Sequence, residues 1–176
     1  MDFLETVWLE SDRLILKPIS LKYAEVIFQE FTAAVTRYMF PKPATDMHET
    51  MQFIRDTIRR RENGNELTLV ITKRANSEFL GVCAIHQLNT DTPTLGIWIK
   101  TSAHGHGYGR EAIHCLKAWA DVNLEYHYLL YPVDRRNIPS RKIPESLKGK
   151  PHREYSKVNM SGDLLELVEY RIERKR

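Results

Sequence analysis

The sequence predicts one α/β domain with a mixed sheet, spanning residues 1–176. Three observations carry this. Periodicity runs strand, two helices, three strands, helix, strand, helix, two strands, without an internal repeat. The three central strand patterns are joined by short turns, which makes an antiparallel meander. A run of alternating glycines then leads from the last of them into an amphipathic helix. At 176 residues and 42% hydrophobic composition the chain can bury one core, and no second domain is needed.

Thr6 to Ile19 reads as a first strand, with Leu14 and Leu16 on one face, Arg13, Ile15 and Lys17 on the other, and Pro18 closing it. Ala24, Ile27, Phe28, Phe31 and Val35 recur at three and four residues, which predicts a helix capped by Ser20 and stopped by Pro41 and Pro43. Asp46 caps a second helix with an apolar stripe of Met47, Met51, Ile54 and Ile58. Arg55, Arg59, Arg60 and Arg61 lie largely on its wet side, and Asn63-Gly64-Asn65 ends it. Leu67–Thr72, Phe79–Leu88 and Leu95–Lys100 are the meander strands. From Gly107 to about Asn123, residues Ala112, Ile113, Leu116, Trp119 and Ala120 mark one helix face. Tyr126–Val133 is a strand, followed by a short helix from about Pro139 to Leu147 that Pro144 interrupts. Arg153–Asn159 and Leu164–Ile172 are the last strands, joined at Ser161-Gly162-Asp163.

Lys and Arg total 26 against 23 Asp and Glu, a formal charge of +3. The basic residues are dispersed except around 135–150 and at Arg174-Lys175-Arg176, a pattern that does not point to nucleic acid as a partner. The two cysteines, Cys83 and Cys115, have neither metal-ligand spacing nor a disulfide framework, so buried thiols in a reducing cytoplasm are expected, with no metal. Met1 to Arg13 lacks the pattern of a signal peptide and no apolar run approaches membrane-spanning length, so a soluble cytoplasmic protein with no membrane partner is expected.

The run from Ala103 to Ala112 carries glycine at 105, 107 and 109. A diphosphate must approach several backbone N–H groups at once, and a side chain at any of these positions would hold it off. The helix that opens here adds its positive end to the same anion. A tight strand-to-helix turn asks for the same glycines with no ligand, so on the loop alone both uses stand. A P-loop is disfavoured, because Gly109 is followed by Arg110-Glu111 and not by the Lys-Ser/Thr pair that reaches terminal phosphates and magnesium.

With that loop between its fourth strand and third helix, the chain resembles, over nearly its whole length, the GNAT superfamily of acyl-CoA-dependent N-acetyltransferases. The family loop reads Arg or Gln, two variable residues, Gly, one variable residue, then Gly or Ala. His104-Gly105-His106-Gly107-Tyr108-Gly109 matches it except at the first position. Asn137-Ile138-Pro139-Ser140-Arg141-Lys142, followed by Glu145, Leu147 and Gly149, is similar to the Asn-x-x-Ser segment of the Rim-type subgroup, which acetylates ribosomal-protein amino termini. Ser11-Asp12-Arg13-Leu14-Ile15-Leu16 and Leu95-Gly96-Ile97-Trp98-Ile99 are similar to the opening of that subgroup and to its Leu-Gly-Tyr-Trp strand.

The resemblance implies a GNAT-like fold: a central, mostly antiparallel sheet flanked by helices and splayed between strands four and five. The pantetheine arm of acetyl-CoA would insert there as a false strand along Ile97, Trp98 and Ile99. The Trp98 side chain either lines the acceptor groove or packs under the first helices. N–H groups from about Gly105 to Arg110 would hold the pyrophosphate, with His104, His106 and Arg110 as auxiliary donors. A cation at Arg110 opposes the helix dipole unless an anion is bound; a solvated surface arginine is the plain alternative.

Asn137 would grip pantetheine or would only cap the short helix, and Ser140 is the implied acid for the departing thiolate. His86 and Glu154 are candidates for the base, with His86 equally readable as structural. Thr94 stands where the subgroup often carries glutamate, so a water chain is a further route for the proton. The activity implied is transfer of acetyl from acetyl-CoA to a primary amine, on a protein amino terminus or a small molecule, by direct attack on the thioester. A homodimer is compatible with it. The alternative is a non-catalytic acyl-CoA-binding or regulatory module. Leu147-Lys148-Gly149-Lys150-Pro151 departs from the subgroup's Leu-Gly-Phe, so an aromatic anchor is missing on the acceptor side, and Pro144 removes one helical hydrogen bond.

Overall fold

A computed structural model describes residues 2–175. The first strand is broken into β1 (Leu9–Glu10) and β2 (Leu14–Pro18), which are antiparallel with Leu9 opposite Leu16. The continuous strand expected across 6–19 is therefore corrected, and the break has a cause. Ser11 Oγ and the Arg13 backbone N–H both donate to Oε1 of Glu111, at 2.7 and 2.9 Å, so the chain between the two strands turns out of the sheet.

The helix expected across 24–35 is also two, α1 (Ala24–Glu30) and α2 (Ala33–Thr36). Thr32 is extended and its side chain accepts from Val35 N–H, which starts the second piece. Ser20 precedes a 3-10 turn over Leu21–Tyr23 but makes no side-chain cap. Asp46 does cap α3 (Met47–Glu62), with Oδ1 accepting from Glu49 N–H at 2.9 Å, and Gly64 ends it at φ 71°.

Strands β3 (Glu66–Lys73), β4 (Phe79–His86) and β5 (Thr94–Ile99) form the meander. Helix α4 (Tyr108–Asn123) crosses over to β6 (Tyr128–Asp134). Helix α5 (Ile138–Ser146) and the hairpin of β7 (Lys150–Val158) and β8 (Leu164–Glu173) complete the chain. The eight strands lie in the order β1-β2-β3-β4-β5-β6-β8-β7, and only β5 and β6 are parallel. Because β7 is the sheet's outer edge, most of its length is exposed.

Strand alternation divides the core between the two faces. Leu67, Leu69 and Ile71 of β3 share a cluster with Ala112, Ile113 and Leu116 of α4. Val70 and Val82 share a second cluster with Ile27 of α1 and Ile54 of α3. Fully burying one such aliphatic side chain contributes about 1.5–3 kcal/mol. Cys83 is buried as expected; Cys115 is only half-buried, which corrects that expectation. Among the described residues no helix is long and apolar enough to cross a membrane, and no three His, Cys, Asp or Glu side chains gather as metal ligands.

One charged side chain set into the sheet beside the core is Glu66, 5% exposed. It accepts from Thr68 Oγ1 at 2.6 Å and from Arg60 Nε at 2.7 Å, and lies 3.2 Å from His86 Nδ1. Burial pushes its carboxyl up, but hydrogen bonds from His86, Thr68 and Arg60 outweigh burial and hold it at about 2, below the ordinary 4.5. A lowered value in the folded state means that the stabilisation is complete above the ordinary value and disappears as the pH falls through the folded one. In urea unfolding, wild type should exceed Glu66→Gln by a margin on the order of 3 kcal/mol above pH about 5, and that margin should shrink to nothing as the pH approaches about 2.

Candidate active site

Strands β5 and β6 meet at a single pair, Thr94 with Leu130, and then diverge. The gap opens into a cavity of about 530 Å³, with Ile97, Trp98 and Ile99 on one wall and Asn137, Pro139 and Ser140 on the other. Lys100 N–H bonds to Leu80 on β4, so by alternation Ile97 and Ile99 turn their N–H and C=O groups away from β4 and into the gap. The backbone of Trp98 is turned the other way, towards Val82 and Gly81 on β4. Of the three strand positions expected to meet a false strand, Ile97 thus presents both its N–H and C=O to the gap and Ile99 only its N–H, while Trp98 presents neither. The Trp98 indole packs on Phe31 and Phe79 at 5.0 and 5.8 Å, the second of the two alternatives for it, and the residue is also among those lining the cavity.

The glycine loop forms one end of the cavity. Gly105 and Gly107 have φ of 81° and 75°, so the turn itself demands them. Gly109 is different: a Cβ there would only touch Ile97, Ile99 and Ile143 at 3.4–3.5 Å. Among the described residues no protein acceptor takes the N–H groups from Gly105 to Arg110; the helical ladder begins with Glu111 N–H on the Gly107 carbonyl. Several donors at the positive end of a sixteen-residue helix, α4, form an anion cradle.

The loop's polar side chains divide. His104 Nε2 lies 2.6 Å from the Ile99 carbonyl, which can only accept, so that nitrogen carries a proton committed to the strand end and only Nδ1 is left for a ligand. His106 is outside the cavity lining, with its ring 5.6 Å from that of Tyr108. Arg110 is exposed on the cavity rim and makes no ion pair among the described residues. A clamp invisible from sequence holds this loop. Arg13 Nη1 donates to the His106 carbonyl at 2.9 Å, Arg13 Nε donates to Glu111 at 2.7 Å, and the guanidinium lies 4.5 Å from the centre of the Tyr108 ring.

On the opposite wall, Asp134 at the end of β6 is fully buried and takes Arg136 Nε, Arg136 N–H and Glu166 N–H, an arrangement that fixes the turn into α5. Asn137 caps that helix through a long 3.4 Å contact with Ser140 N–H, while its Nδ2 makes no hydrogen bond among the described residues. Ser140 lies within the lining, and Pro144, four residues on, lacks the N–H that would have bonded the Ser140 carbonyl. The two base candidates lie outside the cavity lining. Glu154 is exposed on edge strand β7 with its carboxylate 3.1 Å from Arg135, so it is not brought to the cavity. His86 ends β4 on the same sheet face as Gly96 and Trp98, held at Nδ1 by Glu66. A Cβ on Gly96 would come within 3.1 Å of His86 Nε2, so glycine there leaves the imidazole room to lie over β5 where a side chain would press it aside.

The model of the acetyltransferase (GNAT) domain family matches residues 13–150. The uncharacterized N-acetyltransferase p20 of Bacillus licheniformis is 24% identical over 149 residues, 82% of each chain. Among solved structures, the Salmonella typhimurium acetyl transferase that modifies the N-terminal serine of ribosomal protein L7/L12 superposes with a TM-score of 0.83 at 15% identity, covering 96% of this chain and 100% of that one. A ribosomal L7/L12 α-N-protein acetyltransferase in complex with coenzyme A gives 0.84 at 15% identity, covering 95% and 98%.

The Arg13 clamp gives a direct expectation. Charge-assisted hydrogen bonds of this kind are worth enough that Arg13→Ala should speed amide hydrogen exchange in the first turns of α4, from Glu111 N–H onward, about tenfold. Amides of β3 and β4 should exchange as in wild type, and uniform acceleration everywhere would show global destabilisation instead.

Proposed function

The chain belongs to the GNAT acetyltransferase family, and on that premise we propose that this acetyltransferase moves the acetyl group of acetyl-CoA onto a primary amine by direct attack on the thioester. The observation that carries the reading is the continuity of two free backbone surfaces. The N–H groups of Gly105–Arg110 suit a pyrophosphate, and the unpaired N–H and C=O of Ile97 with the Ile99 N–H suit the amide groups of pantetheine. Asn137 Nδ2 and the rim cation Arg110 add donors to the same path.

The chemistry then follows from what each group can do. A neutral amine attacks the thioester carbonyl, and the Ile97 N–H, turned into the gap, stabilises the oxyanion. The amine proton passes to His86 Nε2, directly or through water, because Glu66 holds Nδ1 and leaves Nε2 as the acceptor. Thr94 has no basic group and Glu154 faces Arg135 elsewhere, which favours His86 for this role. As the C–S bond breaks, Ser140 shares its hydroxyl hydrogen with the thiolate, an acid role limited to hydrogen bonding by the weak acidity of a serine. Val35, Met39 and Trp98 make the acceptor side apolar, suited to the first side chain of a peptide or to the carbon frame of a small amine. The names of the relatives favour a protein amino terminus.

Calorimetric titration with acetyl-CoA should give saturable heat, and none at millimolar ligand would overturn the reading. With a reactive amine found by mass-spectrometric screening, Ser140→Ala should lower kcat by about 10–100-fold with KM for acetyl-CoA unchanged. His86→Gln should lower kcat/KM about 10–100-fold, because glutamine keeps a donor for Glu66 but cannot accept the amine proton.

A further inference from the structure

Behind Ser140 stands a second hydroxyl for which the mechanism above has no use. Tyr131, on the inner face of β6, is 2% exposed, and its phenol oxygen lies 2.7 Å from Ser140 Oγ, its one hydrogen-bond partner among the described residues. Either oxygen can be the donor on distance alone, so chemistry must decide. A phenol is far the stronger acid of the two, hence the better donor, and a buried O–H with one acceptor in reach gives its hydrogen to that acceptor. Burial also pushes the phenol up to about 12, so it keeps its proton near neutral pH. Tyr131 is thus a fixed donor rather than a proton source.

With its oxygen engaged as an acceptor, Ser140 must send its own hydrogen elsewhere. Helical serines commonly return it to their own helix, and Ser146 in α5 does so, donating to the Ile143 carbonyl at 2.6 Å. Ser140 makes no such bond among the described residues, and its remaining direction is the cavity it lines. We propose that Tyr131 is a positioning residue that locks the Ser140 hydroxyl with its hydrogen aimed into the cleft, towards the sulfur of the acyl thioester. The proposal rests on the reading of Ser140 given above. In the step, the C–N bond forms as the C–S bond breaks. The electron pair of the broken bond stays on sulfur, where the Ser140 hydrogen bond meets it. The amine proton goes to the base, the thiolate takes a proton from solvent on release, and Tyr131 gives up none.

Tyr131→Phe removes one oxygen and no packing volume, so its melting temperature should stay close to that of wild type. Its kcat should fall about tenfold with KM for acetyl-CoA unchanged. The thiol of bound CoA, followed by the ultraviolet absorbance of its thiolate, should titrate about one pH unit higher than in wild type. Added to Ser140→Ala, the same change should alter neither quantity, since the tyrosine acts only through the serine. The proposal is overturned if Tyr131→Phe matches wild type in both quantities, or if it lowers kcat by the same factor in the Ser140→Ala background. Should wild type turn over no amine, the acetyl-transfer reading fails by itself, and the thiol titration still decides the role of Tyr131. Absence of CoA binding in calorimetry overturns both.

Discussion

Strands β5 and β6 share one residue pair and then part, and most of the functional architecture hangs on that parting. A parallel neighbour cannot be reached by a hairpin, so the chain must cross over through α4 to place β6, and the crossover must begin where β5 ends. That requirement brings a helix N-terminus, its unpaired N–H groups and the free Ile97 edge with the Ile99 N–H to one place. A fully zipped β5–β6 ladder would satisfy the same backbone groups internally and leave no cleft.

Such an opening leaves donors and acceptors without partners, and the structure compensates at the margins. His104 caps the Ile99 carbonyl from within the loop. Arg13 and Ser11, drawn from the interrupted first strand, lock the first turn of α4 through Glu111 and hold the loop at the His106 carbonyl. The break between β1 and β2 therefore serves the far end of the cavity. On the other wall, buried Asp134 does similar work, organising the turn from which Asn137 and Ser140 project. The rims of the cleft are tied to the sheet by charged hydrogen bonds rather than by strand pairing.

What the residues disclosed in advance was what local spacing controls. The meander, the Asp46 cap, the glycine loop opening α4, and the Asn137 to Ser140 segment were legible because each depends on neighbours within a few residues. The resemblance to a family supplied the splay between the strands, which no periodicity encodes. Missed were the contacts between distant segments. Nothing near Arg13 announces that its partner is Glu111, and nothing near His86 announces Glu66, twenty positions earlier and one strand away. That Glu154 lies outside the cavity lining was hidden for the same reason, since only the sheet order reveals that β7 is an outer edge, with Glu154 paired to Arg135. The Trp98 backbone was misjudged because the hydrogen-bonding phase of β5 depends on its register with β4.

The closeness of His86 to Gly96 bears on how such a chain can change. The imidazole occupies the space that any β-carbon at position 96 would claim, 3.1 Å from Nε2, while the same ring answers the buried charge of Glu66. Three positions on three adjacent strands are thereby tied into one unit of inheritance. A lineage that gains a side chain at 96 must shift the imidazole aside, and one that loses the histidine leaves the buried carboxylate to Arg60 and Thr68 alone. A change at any one of the three positions is therefore felt at the other two.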